Sequence, residues 1–138
     1  MEYRKLPHGE EKISVIGMGS SVVGEQPEKK IIETVTYALE HGVNYFDMAG
    51  GHASIFPAYG KALQGRRNDV MLQVHFGANY VSGAYGWTTD LDTIKRSVDW
   101  QLQNLKTDYI DFGFIHCLDE SADLAAYEKS GALKYLLD

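Results

Sequence analysis

Hydrophobic and polar positions follow two periods along this chain, and the switches between them mark the predicted elements. Alternation at every second position indicates strands, and spacing of three or four indicates helices. Strands are predicted at residues 13–19, 44–49, 70–75 and 110–116. Helices are predicted at residues 27–42, 57–63, 91–105, 123–129 and 132–137. This alternating order predicts parallel strands joined by right-handed crossovers.

The helix at 91–105 has the clearest pattern in the sequence. Its apolar residues recur at helical spacing, and they are Leu91, Ile94, Val98, Leu102 and Leu105. Either Thr89 or Asp90 is expected to cap its first turn. The helix at 27–42 has a similar pattern, with Pro27 at its start and Gly42 at its end.

The number of strand and helix units limits the architecture. A closed barrel of eight such units typically takes about 250 residues, and this chain has 138. Residues 2–19 are predicted to form a short N-terminal turn unit, broken at Pro7-His8-Gly9, that leads into the first strand. We therefore predict an α/β fold of one domain, residues 1–138, arranged as a parallel (β/α)4 half of a TIM-type (β/α)8 barrel.

Polar residues end three successive predicted strands. Asp47, His75 and His116 occupy these positions, and His52 follows in the adjoining loop. The carboxyl ends of parallel strands are where α/β folds place their chemistry. Three imidazoles and one carboxylate suit zinc or iron, so one hypothesis is a metal site. The alternative is that these histidines form hydrogen bonds at a polar strand edge.

Three further positions have structural interpretations. Cys117 is expected to be a buried structural thiol that points away from His116. Asp111 lies on the opposite strand face from His116 and is expected to form a structural hydrogen bond or ion pair. The loop 77–87 carries Tyr80, Tyr85 and Trp87. It suits a substrate cover and a packed loop over the strand ends equally well.

Composition excludes several classes of partner. The net charge of −6 and the absence of a dense Lys/Arg run argue against a nucleic-acid or anionic membrane surface as partner. No apolar run reaches transmembrane length. A single cysteine and an N-terminus without an apolar signal core lead us to expect a cytoplasmic protein.

Four segments together resemble the N-terminal half of an aldo-keto reductase. They are Ile13-Ser14-Val15-Ile16-Gly17-Met18-Gly19, Asn44-Tyr45-Phe46-Asp47-Met48-Ala49, Gly60-Lys61-Ala62-Leu63 with Arg67 after it, and Thr107-Asp108-Tyr109-Ile110-Asp111 leading to His116. Within the family, the sequence is most similar to a bacterial branch whose longer members carry a C-terminal iron–sulfur segment.

The resemblance implies NAD(P)H-dependent reduction of aldehydes or ketones by an aspartate, a tyrosine, a lysine and a histidine. Asp47 and His116 fall on the family's aspartate and histidine, whereas His52 falls on its tyrosine and His75 on its lysine. An imidazolium at His52 would then be the acid and His75 its modulator. Asp47 would favour the charged form of either histidine.

The family holds its cofactor mostly with later strands, which have no counterpart in these 138 residues. The resemblance therefore leaves NADP(H) binding by this chain open and predicts little reductase activity in isolation. Open sheet edges and an uncovered inner face predict self-association, most simply as a homodimer. The alternative function is a non-catalytic, self-associating half-barrel.

Overall fold

A four-stranded parallel sheet organises the structure, a computed structural model that describes residues 1–137. In chain order the strands are β1 (Tyr3–Lys5), β2 (Lys12–Ser14), β3 (Met18–Gly19), β4 (Tyr45–Met48), β5 (Met71–Phe76), β6 (Ala78–Asn79), β7 (Gly86–Trp87) and β8 (Phe112–Ile115). The α-helices are α1 (Glu28–Glu40), α2 (Ile55–Ala62), α3 (Leu91–Leu105), α4 (Ser121–Ser130) and α5 (Ala132–Leu137).

The order of the parallel sheet is β3-β4-β5-β8. Helices α1, α2 and α3 each connect one strand to its neighbour, which confirms the predicted parallel strands with helical crossovers. In the register, Asp47 lies opposite Gln73 and His75 opposite Phe114. Because paired residues of parallel strands share a face, these side chains lie on the same side of the sheet.

The other side of the sheet packs against the helices and forms the main hydrophobic core. Phe46 and Leu72 from the sheet meet Ile31 of α1 and Phe56 of α2, and all four are buried. Helices α2 and α3 approach closely at Gly60, where a Cβ atom would lie only 2.3 Å from the carbonyl oxygen of Asn104. A second, smaller core joins α3 to α4 and α5.

The sheet face away from the helices carries aromatic and polar residues. Tyr45, Gln73, Phe112 and Phe114 line a cavity of 290 Å³ together with Leu6 and Ile13. Strands β1 and β2 pair as an antiparallel hairpin, which brings Ile13 under this face. The predicted N-terminal turn unit is therefore a hairpin.

The first predicted strand, residues 13–19, is wrong as a single element because it divides into β2 and β3. Hydrogen bonds of polar side chains explain the break. The backbone N–H of Ser14 donates to Asn44 Oδ1 at 2.7 Å, and the Ser14 hydroxyl donates to the carbonyl of Ile16 at 2.8 Å. These bonds turn the chain and leave Ile16 59% exposed.

The predicted helices agree with the structure to within a few residues. Helix α3 has the predicted bounds, and Asp90 is its cap because Thr93 N donates to Asp90 Oδ1 at 2.8 Å. Helices α4 and α5 are separated at Gly131, whose φ of 78° only glycine adopts readily. Within residues 1–137, no helix combines the length and apolar character needed to cross a membrane.

The strand predicted at 110–116 is shorter than expected, since β8 begins at Phe112. Just before it, Asp111 Oδ2 accepts from the Arg67 guanidinium at 2.7 Å and from the backbone N–H of Leu72 at 2.8 Å. The predicted structural ion pair of Asp111 is thus confirmed. Both side chains are largely buried, with 13% and 18% exposure.

Substitution Asp111→Asn tests the contribution of this ion pair to stability. We expect the free energy of unfolding to fall by about 2–3 kcal/mol, because Arg67 would keep a buried charge without its counterion. Urea denaturation at one fixed protein concentration measures the change. The control is Asp69→Asn, since Asp69 pairs with Arg66 at an exposed position and should change stability by less than about 0.5 kcal/mol. Equal losses in the two variants would contradict the prediction.

Candidate active site

Three polar side chains from adjacent strand ends form a continuous hydrogen-bonded chain. His75 Nε2 lies 2.8 Å from Asp47 Oδ1, and His75 Nδ1 lies 3.1 Å from His116 Nδ1. Asp47 belongs to β4 and His75 to β5, while His116 directly follows β8. The structure therefore brings together three of the four residues expected at the site.

Gln73 fixes the carboxylate from the neighbouring strand. It is almost fully buried, its Nε2 donates to Asp47 Oδ1 at 2.9 Å, and its Oε1 accepts from the Tyr45 hydroxyl. Gln73 Nε2 also lies 3.2 Å from His75 Nε2. Because both nitrogens donate to the same oxygen of Asp47, this last contact is between two donors and not a hydrogen bond.

Donor and acceptor chemistry determines where the protons lie when both imidazoles are neutral. A carboxylate only accepts, so His75 carries its proton on Nε2 and its Nδ1 is an acceptor. His116 must then carry its proton on Nδ1, which leaves its Nε2 as an acceptor. The chain thus points from His116 through His75 to Asp47.

The aromatic loop, residues 77–87, contacts His116 through Tyr85 and Trp87. Tyr85 Oη lies 3.0 Å from His116 Nε2, and Trp87 Nε1 donates to the backbone carbonyl of His116 at 2.9 Å. The loop is held by the pairing of β6 with β7 and by a backbone bridge between His52 and Ala84. Tyr85 is 44% exposed and sits at the open end of the chain. No pattern in the sequence indicated its contact with His116.

The surroundings of His116 and Tyr85 keep both side chains uncharged. Burial lowers the pKa of His116, and the neighbouring His75 lowers it further, against the opposing effects of Asp119 and Asp47. Burial also raises the pKa of Tyr85, with the nearby Cys117 adding to the effect. His116 therefore favours a neutral imidazole and Tyr85 a protonated phenol.

His52 lies apart from the hydrogen-bonded series of Asp47, His75 and His116. It is exposed in the loop after β4, and no side-chain hydrogen bond joins its ring to another residue of the part of the chain that the structure describes. Tyr59, seven residues after His52, is buried on α2 and packs edge-on against Phe46 on the helix side of the sheet. Burial raises its pKa strongly. Neither residue contributes to the chain at the strand ends.

The metal hypothesis finds no support in this geometry. No group of three or more His, Cys, Asp or Glu side chains within residues 1–137 is placed to hold a metal ion. The orientation of the two imidazoles explains this, because the Nδ1 atoms of His75 and His116 face each other. They are used in a mutual hydrogen bond and do not converge on a common point.

The prediction that Cys117 is buried is wrong, because the residue is exposed. Strand β8 ends at Ile115, so the alternation of faces does not continue to Cys117. The backbone there has a φ of 53°, which turns the chain out of the sheet. Cys117 instead lines an acidic surface cavity of 370 Å³ with Trp87, Asp119, Glu120 and Asp123.

The residues at the strand ends fit only part of the cofactor that the resemblance implies. They offer hydrogen-bond donors and acceptors for the reacting groups. The four loops that follow the parallel strands, residues 20–27, 49–54, 77–90 and 116–120, contain no lysine or arginine. These loops therefore provide no cationic side chain for the phosphates of a nucleotide.

Substitution His75→Gln tests the electrostatic coupling of the two histidines. We expect the pKa of His116 to rise toward its ordinary value, because the repulsion from His75 is removed while burial remains. Because a lowered pKa in the folded state costs stability only as pH falls below the ordinary value, the acid side of the stability profile should also flatten. Histidine NMR signals followed against pH measure the pKa of His116. The control is His41→Gln at the end of α1, which should leave that pKa unchanged. An unchanged pKa of His116 would contradict this coupling.

Comparison with known proteins identifies the family of this chain. The aldo/keto reductase family model matches residues 15–137. The chain is 32% identical over 149 aligned positions to the oxidoreductase YqkF of Bacillus subtilis, covering 98% of this chain and 47% of the relative. It is 30% identical over 135 positions to L-galactose dehydrogenase of Arabidopsis thaliana, covering 86% of this chain and 38% of that protein.

A solved structure shows the same architecture. The holo form of aldo-keto reductase AKR11C1 from Bacillus halodurans superimposes with a TM-score of 0.73 at 27% identity, covering 96% of this chain and 47% of that one. The chain thus spans about half the length of the relatives it matches. Its parallel sheet and helices form an α/β fold resembling the TIM barrel of these enzymes, and by sequence and structure the chain belongs to the aldo/keto reductase family.

Proposed function

We propose that this chain supplies the proton-handling part of an oxidoreductase that reduces small aldehydes or ketones with NAD(P)H. The observation that supports this proposal is the hydrogen-bonded chain from Asp47 through His75 to His116 at the carboxyl ends of β4, β5 and β8. Reduction of a carbonyl requires a hydride at carbon and a proton at oxygen. The cofactor supplies the hydride when it is bound, and groups of this chain supply the proton.

The residues have distinct roles in the proposed reaction. Asp47 stabilises a positive charge on His75, and Gln73 holds the carboxylate in place to do so. His116 connects His75 to the open end of the site. Trp87 anchors the neighbouring loop beside His116, because its Nε1 donates to the backbone carbonyl of His116. General acid catalysis of this kind contributes about 100-fold to 10,000-fold to a rate.

We further propose that the chain is a (β/α)4 half-barrel that pairs with a second copy. Helices cover one face of the sheet, while Phe112 and Phe114 lie on the other face and Phe114 is 51% exposed. Strands β3 and β8 each have one edge without a partner within residues 1–137. Open edges and exposed aromatic residues favour association.

The activity of the 138-residue chain tests the reductase proposal. At concentrations where the chain is paired, we expect consumption of NADPH with at least one compound from a panel of small aldehydes and ketones. L-galactose is assayed separately with NADP in the oxidative direction, because one relative is an L-galactose dehydrogenase. Asp47→Asn and His75→Gln should each lower kcat about 100-fold or more, because the proton source loses its charge. His41→Gln is the matched control and should keep full activity. No turnover by the wild-type chain at any protein concentration would favour the non-catalytic alternative.

Light scattering over a wide concentration range tests the association. We expect a dimer mass for the wild type and a monomer mass for Phe114→Glu, because the new carboxylate would be desolvated in the interface. Tyr37→Glu is the control, since Tyr37 is 63% exposed on α1 at the helix side. A monomer mass of the wild type at all concentrations would contradict the pairing.

A further inference from the structure

The open end of the hydrogen-bonded chain carries a group that the proposed function has not used. We propose that Tyr85 is the acid that protonates the substrate oxygen, and that Asp47, His75 and His116 form a relay that restores its proton. This inference rests on the proposed reductase function. It concerns a loop residue far in sequence from His52, the position at which the resemblance expects the acid.

Geometry supports Tyr85 in this role. Its Oη lies 3.0 Å from His116 Nε2, so the phenol continues the chain without a gap. Asp47, His75, His116 and Tyr85 are then linked by contacts of 2.8, 3.1 and 3.0 Å. At 44% exposure Tyr85 is the member that faces the solvent, where a substrate arrives. His52 has no such connection within the described residues.

The donor-to-acceptor direction of the hydrogen bonds between Tyr85, His116 and His75 depends on whether the histidine pair carries one extra proton. When both histidines are neutral, Tyr85 donates to His116, His116 to His75, and His75 to Asp47. The phenolic proton then points into the chain and is not available to a substrate. This is the resting state.

A second proton on His75 reverses the outer bonds. His75 then donates from Nε2 to Asp47 and from Nδ1 to His116, whose own proton must move to Nε2. His116 now donates to the oxygen of Tyr85, and the phenolic proton is free to point outward. The positive charge stays on His75, beside the carboxylate, while His116 remains neutral.

The transfer balances without any further group of the protein. A reduced nicotinamide, when bound, would supply the hydride for the carbonyl carbon. Tyr85 gives its proton to the carbonyl oxygen as the C=O double bond becomes a single bond. Tyr85 regains a proton from His116 Nε2, and His116 Nδ1 takes one from His75 Nδ1. The substrate leaves as the alcohol, Tyr85 and both histidines are neutral, and solvent then returns the second proton to the histidine pair.

The groups around the chain favour this distribution of charge. Asp47 contacts His75 directly, whereas His116 faces His75 on one side and Tyr85 on the other, with Asp119 beyond. Burial lowers the pKa of His116, which keeps it neutral, and burial raises the pKa of Tyr85, with Cys117 adding to the effect. Tyr85 therefore keeps its proton until a substrate accepts it.

Nitrogen NMR of the 138-residue chain, labelled with ¹⁵N in histidine, tests the relay without a reaction. As the pH is lowered and the histidine pair takes up one proton, His116 should stay neutral and change from the Nδ1–H to the Nε2–H tautomer. In Tyr85→Phe the Nε2 signal of His116 should shift, because its hydrogen-bond partner is lost, whereas Tyr37→Phe should leave it unchanged. A His116 that keeps its tautomer, or that becomes doubly protonated together with His75, would overturn the relay.

Activity then separates this inference from the proposed function. In an active preparation, Tyr85→Phe should lower kcat about 100-fold or more with little change in KM, and Tyr37→Phe should match the wild type. Full turnover of Tyr85→Phe would overturn Tyr85 as the acid while leaving the reductase proposal intact. A tautomer change without turnover in any variant would support the relay and overturn the reductase function.

Discussion

The carboxylate of Asp47 is the interaction on which the arrangement of the site depends. It accepts hydrogen bonds from Gln73 and His75, two residues of the next strand that are two positions apart and therefore on one face. This is possible only in the parallel register that sets Asp47 opposite Gln73. A shift by one residue would move both donors to the helix side of the sheet. The fold and the chemistry of the site are thus fixed by the same pairing.

The two faces of the sheet serve different purposes for this reason. The helix side is closed by apolar residues such as Phe46 and Leu72, which are buried. The opposite side carries aromatic residues near the N-terminal hairpin and polar residues toward the carboxyl ends of the strands. The polar side chains are stable there because each one has a hydrogen-bond partner in the next. A buried imidazole without a partner would lower the free energy of unfolding. Access from one side is what a reaction at Tyr85 and His116 requires.

Much of the fold follows from periodicity, because the apolar spacing of α1 and α3 and the alternation in β4 reflect which side of each element is buried. Prediction failed where local turns redirect the backbone. Ser14 and Asn44 break the first strand, and the turn at Cys117 ends the alternation after β8. The strand-end positions of Asp47, His75 and His116 were visible from the sequence. The approach of Tyr85 was not, since it depends on how a loop folds over the sheet.

In the proposed reaction, Asp47, His75 and His116 act as one proton-conducting unit. The most direct measurement is the ¹⁵N–¹⁵N scalar coupling across the hydrogen bond between the Nδ1 atoms of His75 and His116, which are 3.1 Å apart. A resolved coupling between these two nitrogens, lost in His75→Gln, is the predicted result. Two imidazoles with slowly exchanging, assigned signals and no coupling between them would contradict the claim.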